Sequence, residues 1–250
     1  MLAKRIIPCL DTRNGRLVKG VMFRNLVDHG DPARVAERYY EEGADEICLL
    51  DVSATLEGRL ALIQVVKGVA ERIFVPLSVG GGIRSTEDAV RVACSGADKI
   101  SVNTGAIENP GIIEELARTL GSQSVVLAID ARKTPDGFRV FSHSGTRITG
   151  LSPDDWAREG VSLGAGEILL TSIDRDGTQD GYDLELFSLV RKAVDGVPII
   201  VSGGAGRYEH FLEAFRAGAD ACLAASLFHE ERMKIGELKR YLKNMGVAVR

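Results

Sequence analysis

The chain carries eight short, nearly continuous apolar runs, at about 5–11, 46–51, 75–80, 98–103, 124–130, 167–173, 197–202 and 220–225. Runs of that length without polar alternation predict β-strands covered on both faces. Between them apolar residues recur at helical spacing, as in 33–42, 86–95 and 207–217. These stretches open on Asp or on Ser-Pro, residues that begin helices. Eight alternations of strand and helix call for a parallel sheet.

The pattern is written twice. Residues 75–104 align without a gap on 197–226, so that Pro76 meets Pro198, Gly81 meets Gly203 and Gly96 meets Gly218. Upstream, 31–51 align on 152–172, bringing Pro32, Gly43 and Glu46 onto Pro153, Gly164 and Glu167. RIIPCLD (5–11) matches VVLAID (125–130), each followed by a turn signal and a second β-rich run: Asn14-Gly15 before RLVKG, Asp136-Gly137 before FRVFSHSG. Both turns read as hairpins of the primed kind. A single half would leave two open sheet edges, whereas two halves close on each other. The predicted fold is therefore α/β, a single (β/α)8 barrel over 1–250 built from half-barrels at about 1–120 and 121–250. The alternative is an open doubly wound sheet, which leaves the equality of the halves without a reason.

Composition agrees with one full-sized core, at 45% hydrophobic and 26% charged residues. The net charge is −4 and the basic residues are scattered, which argues against nucleic acid as a partner. No stretch approaches the roughly 20 apolar residues of a membrane span, and the start shows no small-residue cleavage site; the expected location is cytoplasmic. Cys9, Cys48, Cys94 and Cys222 show no metal-ligand spacing and read as reduced filler. Cys9 has a rival reading as a nucleophile, because it shares a strand side with Asp11.

In this fold, reacting groups sit where strands end. Four carboxylates qualify: Asp11, Asp51 and Asp130 close apolar runs, and Asp176 follows the sixth. Asp11 and Asp130 are repeat partners, placed across one barrel mouth as an acid and a base would be. An aspartate after a strand is often only a loop cap; the symmetric pair favours chemistry. Gly80-Gly81-Gly82 and Gly203-Gly204 follow strands three and seven, while Asn103-Thr104 and Ala225-Ser226 precede helices after strands four and eight. Each pairing of loops predicts a phosphate cradle, made of close backbone approach and free helix N–H groups. Lys19 lies at the base of a long segment (19–32) read as a lid; it is either a substrate contact or a solvated surface cation. Arg5, Glu46, Lys99 and Glu167 open strands one, two, four and six, and predict a salt-bridged ring closing the barrel floor.

RIIPCLD, GRLVKG, SVGGGI, GADKISVNT, AIDARK, GAGEILLTSIDRDGT, GYD and SGGAG, in this order across the chain, resemble the HisF family, the cyclase subunits of imidazole glycerol phosphate synthase in histidine biosynthesis. The resemblance implies an enzyme that combines ammonia with the bisphosphate PRFAR to give imidazole glycerol phosphate and AICAR, without metal or organic cofactor. It puts the acid/base pair on Asp11 and Asp130, with Asp11 the base, and the lid lysine on Lys19. One phosphate falls on Gly82, Asn103 and Thr104; the other falls on Asp176, Gly177, Gly203, Gly204, Ala225 and Ser226. It also turns the ring of Arg5, Glu46, Lys99 and Glu167 into an ammonia gate, with a HisH-like glutamine amidotransferase subunit docked on that N-terminal face near Asp98 as a heterodimer. The competing expectations are the sibling ProFAR isomerase of the same pathway and a non-catalytic barrel that only binds phosphorylated ligands.

Overall fold

The computed structural model describes residues 3–21 and 24–250, and the backbone alone at 19–21 and 24–29. The strands are β1 (Arg5–Arg13), β2 (Arg16–Val21), β3 (Arg24–Gly30), β4 (Ile47–Asp51), β5 (Leu77–Gly80), β6 (Lys99–Val102), β7 (Val125–Thr134), β8 (Gly137–Ser142), β9 (Arg147–Ile148), β10 (Glu167–Ser172), β11 (Ile199–Ser202) and β12 (Ala221–Ala224). Eight of them pair in parallel in the order β1, β4, β5, β6, β7, β10, β11, β12, and β12 returns to β1. The sheet closes, which excludes the open doubly wound alternative. The helices α1 (Pro32–Glu41), α2 (Ile63–Ala70), α3 (Thr86–Ala93), α4 (Thr104–Glu108), α5 (Gly111–Leu120), α6 (Pro153–Ser162), α7 (Leu184–Ala193), α8 (Tyr208–Arg216), α9 (Ser226–His229) and α10 (Ile235–Asn244) lie in the connections and after the last strand.

Local chemistry sets the helix starts. Asp31 accepts a hydrogen bond from the Ala33 amide with Pro32 in the first turn, and Ser85 accepts from the Asp88 amide. Alternation along each strand divides the apolar residues into two layers. Ile6, Leu10 and Ile47 pack outward under the helices, while Ile7, Cys9, Cys48, Val126, Leu169, Ile200 and Leu223 fill the barrel interior.

The two hairpins differ. Arg13 pairs with Arg16, so Asn14 (φ 51°) and Gly15 (φ 76°) make a primed turn as expected. Thr134 pairs with Gly137, which makes Pro135 and Asp136 the turn residues. Neither has positive φ, and proline's ring forbids it, so this turn is not primed; Gly137 (φ 99°) takes the left-handed position that follows. The segment expected to be a lid is itself built from strands, β2 pairing antiparallel with β3.

At the barrel floor a residue one or two positions before every second barrel strand is tied to the neighbouring strand. The Asp45 carboxylate accepts the Ile6 amide at 2.8 Å, Asp98 that of Leu77 at 2.8 Å and Asp220 that of Ile199 at 3.0 Å. In return each aspartate's own amide donates to the carbonyl of the same residue. The fourth equivalent is Gly166, which keeps only the backbone bond, to Val125; a side chain there would overlap the Ser122 carbonyl.

Candidate active site

The strand C-termini open into a cavity of about 1120 Å³, its mouth included, bordered by Asp11, Asp51, Gly82, Asn103, Thr104, Asp130, Asp176, Gly177, Gly203, Gly204, Ala225 and Ser226. Every carboxylate and cradle residue expected from the sequence therefore meets in one space, apart from Lys19, whose side chain lies outside the described residues. Asp11 lies on β1 and Asp130 on β7, each within its strand and one from each half.

Asp130 accepts a hydrogen bond from Asn103 Nδ2 at 3.0 Å. Its carboxyl is pushed up to about 7, first by loss of hydration in the cavity wall and then by the negative charge of Asp176. A hydrogen bond from Thr171 opposes the shift and the charge of Asp11 adds to it. Thr171 stands in register with Asp130 on the adjacent strand. Asp11 is buried and accepts from the Cys9 thiol at 3.2 Å. Cys9 packs among apolar side chains of the barrel interior, as a filler does.

The first cradle rests on glycine. Gly82 has φ 67°, and a side chain there would overlap the Arg59 carbonyl oxygen. Thr104 Oγ1 accepts the His143 amide at 2.9 Å, which leaves its own hydrogen to donate into the cavity. The second cradle mirrors the first: Gly204 has φ 101°, and a side chain would overlap the Gly181 carbonyl. His143 belongs to a turn (His143 φ 52°, Ser144 φ 54°, Gly145 φ 75°) that reaches from the second half to the first, where Ser144 Oγ donates to the Val52 carbonyl at 3.0 Å. Thr171 and Ser144 were missed by sequence reasoning; the signal for Thr171 was its place in TSIDRDGT, one strand over from Asp130.

Asp51 does not sit in the cavity as an acid. One of its oxygens accepts from the Ser53 and Ala54 amides, and both are held by the Arg59 guanidinium, at 2.5 and 3.2 Å. It braces the loop between β4 and α2.

At the opposite end, the four charges expected on the floor form a closed ring. Arg5 bonds Glu46 at 2.8 Å and also Glu167; Lys99 bonds Glu46 at 2.8 Å and Glu167 at 2.7 Å. Burial pushes the Glu46 carboxyl up, against the pull of Lys99. Asp98 is exposed beside this ring.

A closed barrel with a carboxylate from each half bordering one cavity at the strand C-termini, between two glycine-rich loops, has the architecture of a barrel enzyme. The family described as "Histidine biosynthesis protein" matches residues 5–234. Over the full length of both chains, the sequence is 56% identical to the imidazole glycerol phosphate synthase subunit HisF of Exiguobacterium sibiricum and 55% identical to those of Sulfurisphaera tokodaii and Metallosphaera sedula. The chain belongs to the histidine biosynthesis protein family, among its HisF members. No helix among the described residues is long and apolar enough to cross a membrane.

Proposed function

We propose that this chain is the ammonia-dependent cyclase subunit of imidazole glycerol phosphate synthase, converting PRFAR into imidazole glycerol phosphate and AICAR with Asp11 and Asp130 as its proton-transfer pair. The observation that carries this reading is Asp130: a carboxyl raised to about 7, across the mouth from a second aspartate and flanked by two cradles. A group that holds its proton near neutrality suits a general acid, and Asp11 serves as the base.

In the proposed reaction the ammonia nitrogen bonds to the substrate's ketone carbon, and the ketone oxygen leaves as water. Two protons move from nitrogen to oxygen: Asp11 takes each in turn from the nitrogen and Asp130 supplies each in turn to the oxygen, first as its hydroxyl forms and then as it leaves as water, with the proton returning from Asp11 to Asp130 between the steps. The nitrogen of that imine then bonds to the substrate's amidine carbon, closing the imidazole ring, and the bond from that carbon to the AICAR nitrogen breaks, so that AICAR leaves as its amine. Asn103 fixes Asp130 through its Nδ2, and its buried Oδ1, without a partner among the described residues, is an acceptor for a substrate N–H or O–H. Gly82, Asn103 and Thr104 hold one phosphate; Asp176, Gly177, Gly203, Gly204, Ala225 and Ser226 surround the other. Lys19, whose side chain lies outside the described residues, is the candidate lid lysine. A HisH-like glutamine amidotransferase docks on the floor near Asp98 and delivers ammonia through the ring of Arg5, Glu46, Lys99 and Glu167.

The test is steady-state turnover of PRFAR by the isolated chain with an ammonium salt, wild type beside Asp11→Asn and Asp130→Asn. Each substitution is expected to lower the rate by about 10²-fold or more. A folded wild type that leaves PRFAR untouched but isomerises its precursor ProFAR overturns the cyclase reading.

A further inference from the structure

We propose that Asp51 and Arg59 act as a pair of positioning residues for the first phosphate cradle, holding the loop between β4 and α2 at the distance from Gly82 that the anion requires. The inference rests on the reading that this cradle binds a substrate phosphate. An arginine this close to such a site is an obvious phosphate ligand, but its donors are all taken. Nε donates to Glu57 at 2.7 Å; one terminal nitrogen donates to Asp51 at 2.5 Å and to the Leu60 carbonyl at 3.1 Å; the other donates to Asp51 at 3.2 Å and to Ser53 Oγ at 2.8 Å. A guanidinium has five N–H groups and none remains. Arg59 therefore works through the loop.

The loop in turn works on the glycines. The Arg59 carbonyl fills the space that a side chain on Gly82 would need, and Gly81 packs against the Asp51 backbone. The Gly81 carbonyl accepts the Ala61 amide at 3.1 Å, and the Arg59 amide donates to Ala54 at 3.0 Å, closing the loop on itself. Thr55 from the same loop borders the cavity. A fork-shaped cation holding a buried carboxylate by two bonds fixes both distance and angle, which a lysine cannot do.

The second half uses a different device. Ser172 takes the place of Asp51 in the repeat, and its hydroxyl donates to Asp183 at 3.0 Å, the residue that caps α7. Among the described residues no arginine is bonded to Ser172 or Asp183 there. Loss of Arg59 is thus expected to loosen one phosphate site and leave the other intact.

The experiment measures PRFAR turnover with saturating ammonium salt for wild type, Arg59→Ala and Arg59→Lys. For Arg59→Ala the KM for PRFAR is expected to rise about 10-fold or more with kcat within about twofold, since lost positioning of a remote anion weakens ground and transition states alike. Millimolar guanidinium chloride is expected to restore part of the KM in that variant and to leave the wild type unchanged. Arg59→Lys is expected to show a smaller rise, and it carries the test if the alanine variant does not fold. A purely structural role would reduce the active fraction, lowering apparent kcat at constant KM; that result, or an unchanged KM in either folded variant, overturns the inference. A wild type that does not turn over PRFAR overturns the proposed function instead.

Discussion

Asp130 titrates where it does because three neighbours disagree about it. Burial and the charges of Asp176 and Asp11 favour the proton, while Thr171 favours its loss. The consequence for stability has a definite sign. In the unfolded chain this carboxyl titrates at its ordinary value of 3.8, and in the folded chain at about 7. The folded state holds the proton more tightly, so the group's contribution is fully present below the unfolded value and is lost as pH rises through 7. Asp130→Asn removes that loss. Its melting temperature, compared with wild type by calorimetry at pH 5 and pH 8, is expected to gain on the order of 5 °C between the two pH values; an equal offset at both would show that Asp130 is not held protonated. At this scale the sequence was informative where residues repeat. Asp11, Asp130 and both glycine clusters declared themselves by standing in matching places of two halves. Thr171 and Ser144 did not, because each acts across strands or across halves, and such register is invisible along one chain. Asp51 ended a strand as plainly as Asp11 did, yet nothing in its own surroundings announced that Arg59, eight residues on, occupies it.

The eight barrel strands were legible to within a few residues, since short continuous apolar runs between helical patterns suit strands buried on both faces. Strand ends shifted inward where the flanking residue turns to the floor, as at β5, which begins at Leu77 rather than 75. The error on the second hairpin came from reading Asp136-Gly137 as a pair; Pro135, one position earlier, decides the turn. Side-chain caps mark the starts of α1, α3 and α7, at Asp31, Ser85 and Asp183. Ser85 is the clearest, its side chain accepting the Asp88 amide at 3.2 Å, and Ser85→Ala is expected to cost about 1 kcal/mol, seen in thermal unfolding as a fall of roughly 3 °C. An unchanged melting temperature would show that tertiary packing alone holds α3.

The whole molecule was the most legible level, because duplication and closure are statements about order rather than contacts. The division between its two ends was legible as well, in the carboxylates that close apolar runs and in the four charges that open strands one, two, four and six. The mouth gathers the carboxylates of Asp11, Asp130 and Asp176 around one cavity, whereas on the floor Arg5 and Lys99 pair with Glu46 and Glu167. Lys99 holds two buried glutamates there, and Lys99→Met leaves them with Arg5 alone. That change is expected to destabilise the fold by about 3 kcal/mol, a fall of roughly 10 °C in thermal unfolding, with Lys99→Arg much closer to wild type; a stable methionine variant would mean that the ring is not a structural closure. The aspartates beneath the strands have a further consequence. Asp45, Asp98 and Asp220 each join a side chain of one strand to the main chain of the next, so a slip of one residue would break these bonds as well as turn interior side chains outward. At the fourth equivalent joint, Gly166 leaves no room for a side chain. The shear of the barrel is thus written into its lower rim, and shear with strand number sets the diameter; the gap between the two halves at the top is gauged from the bottom, before any ligand arrives.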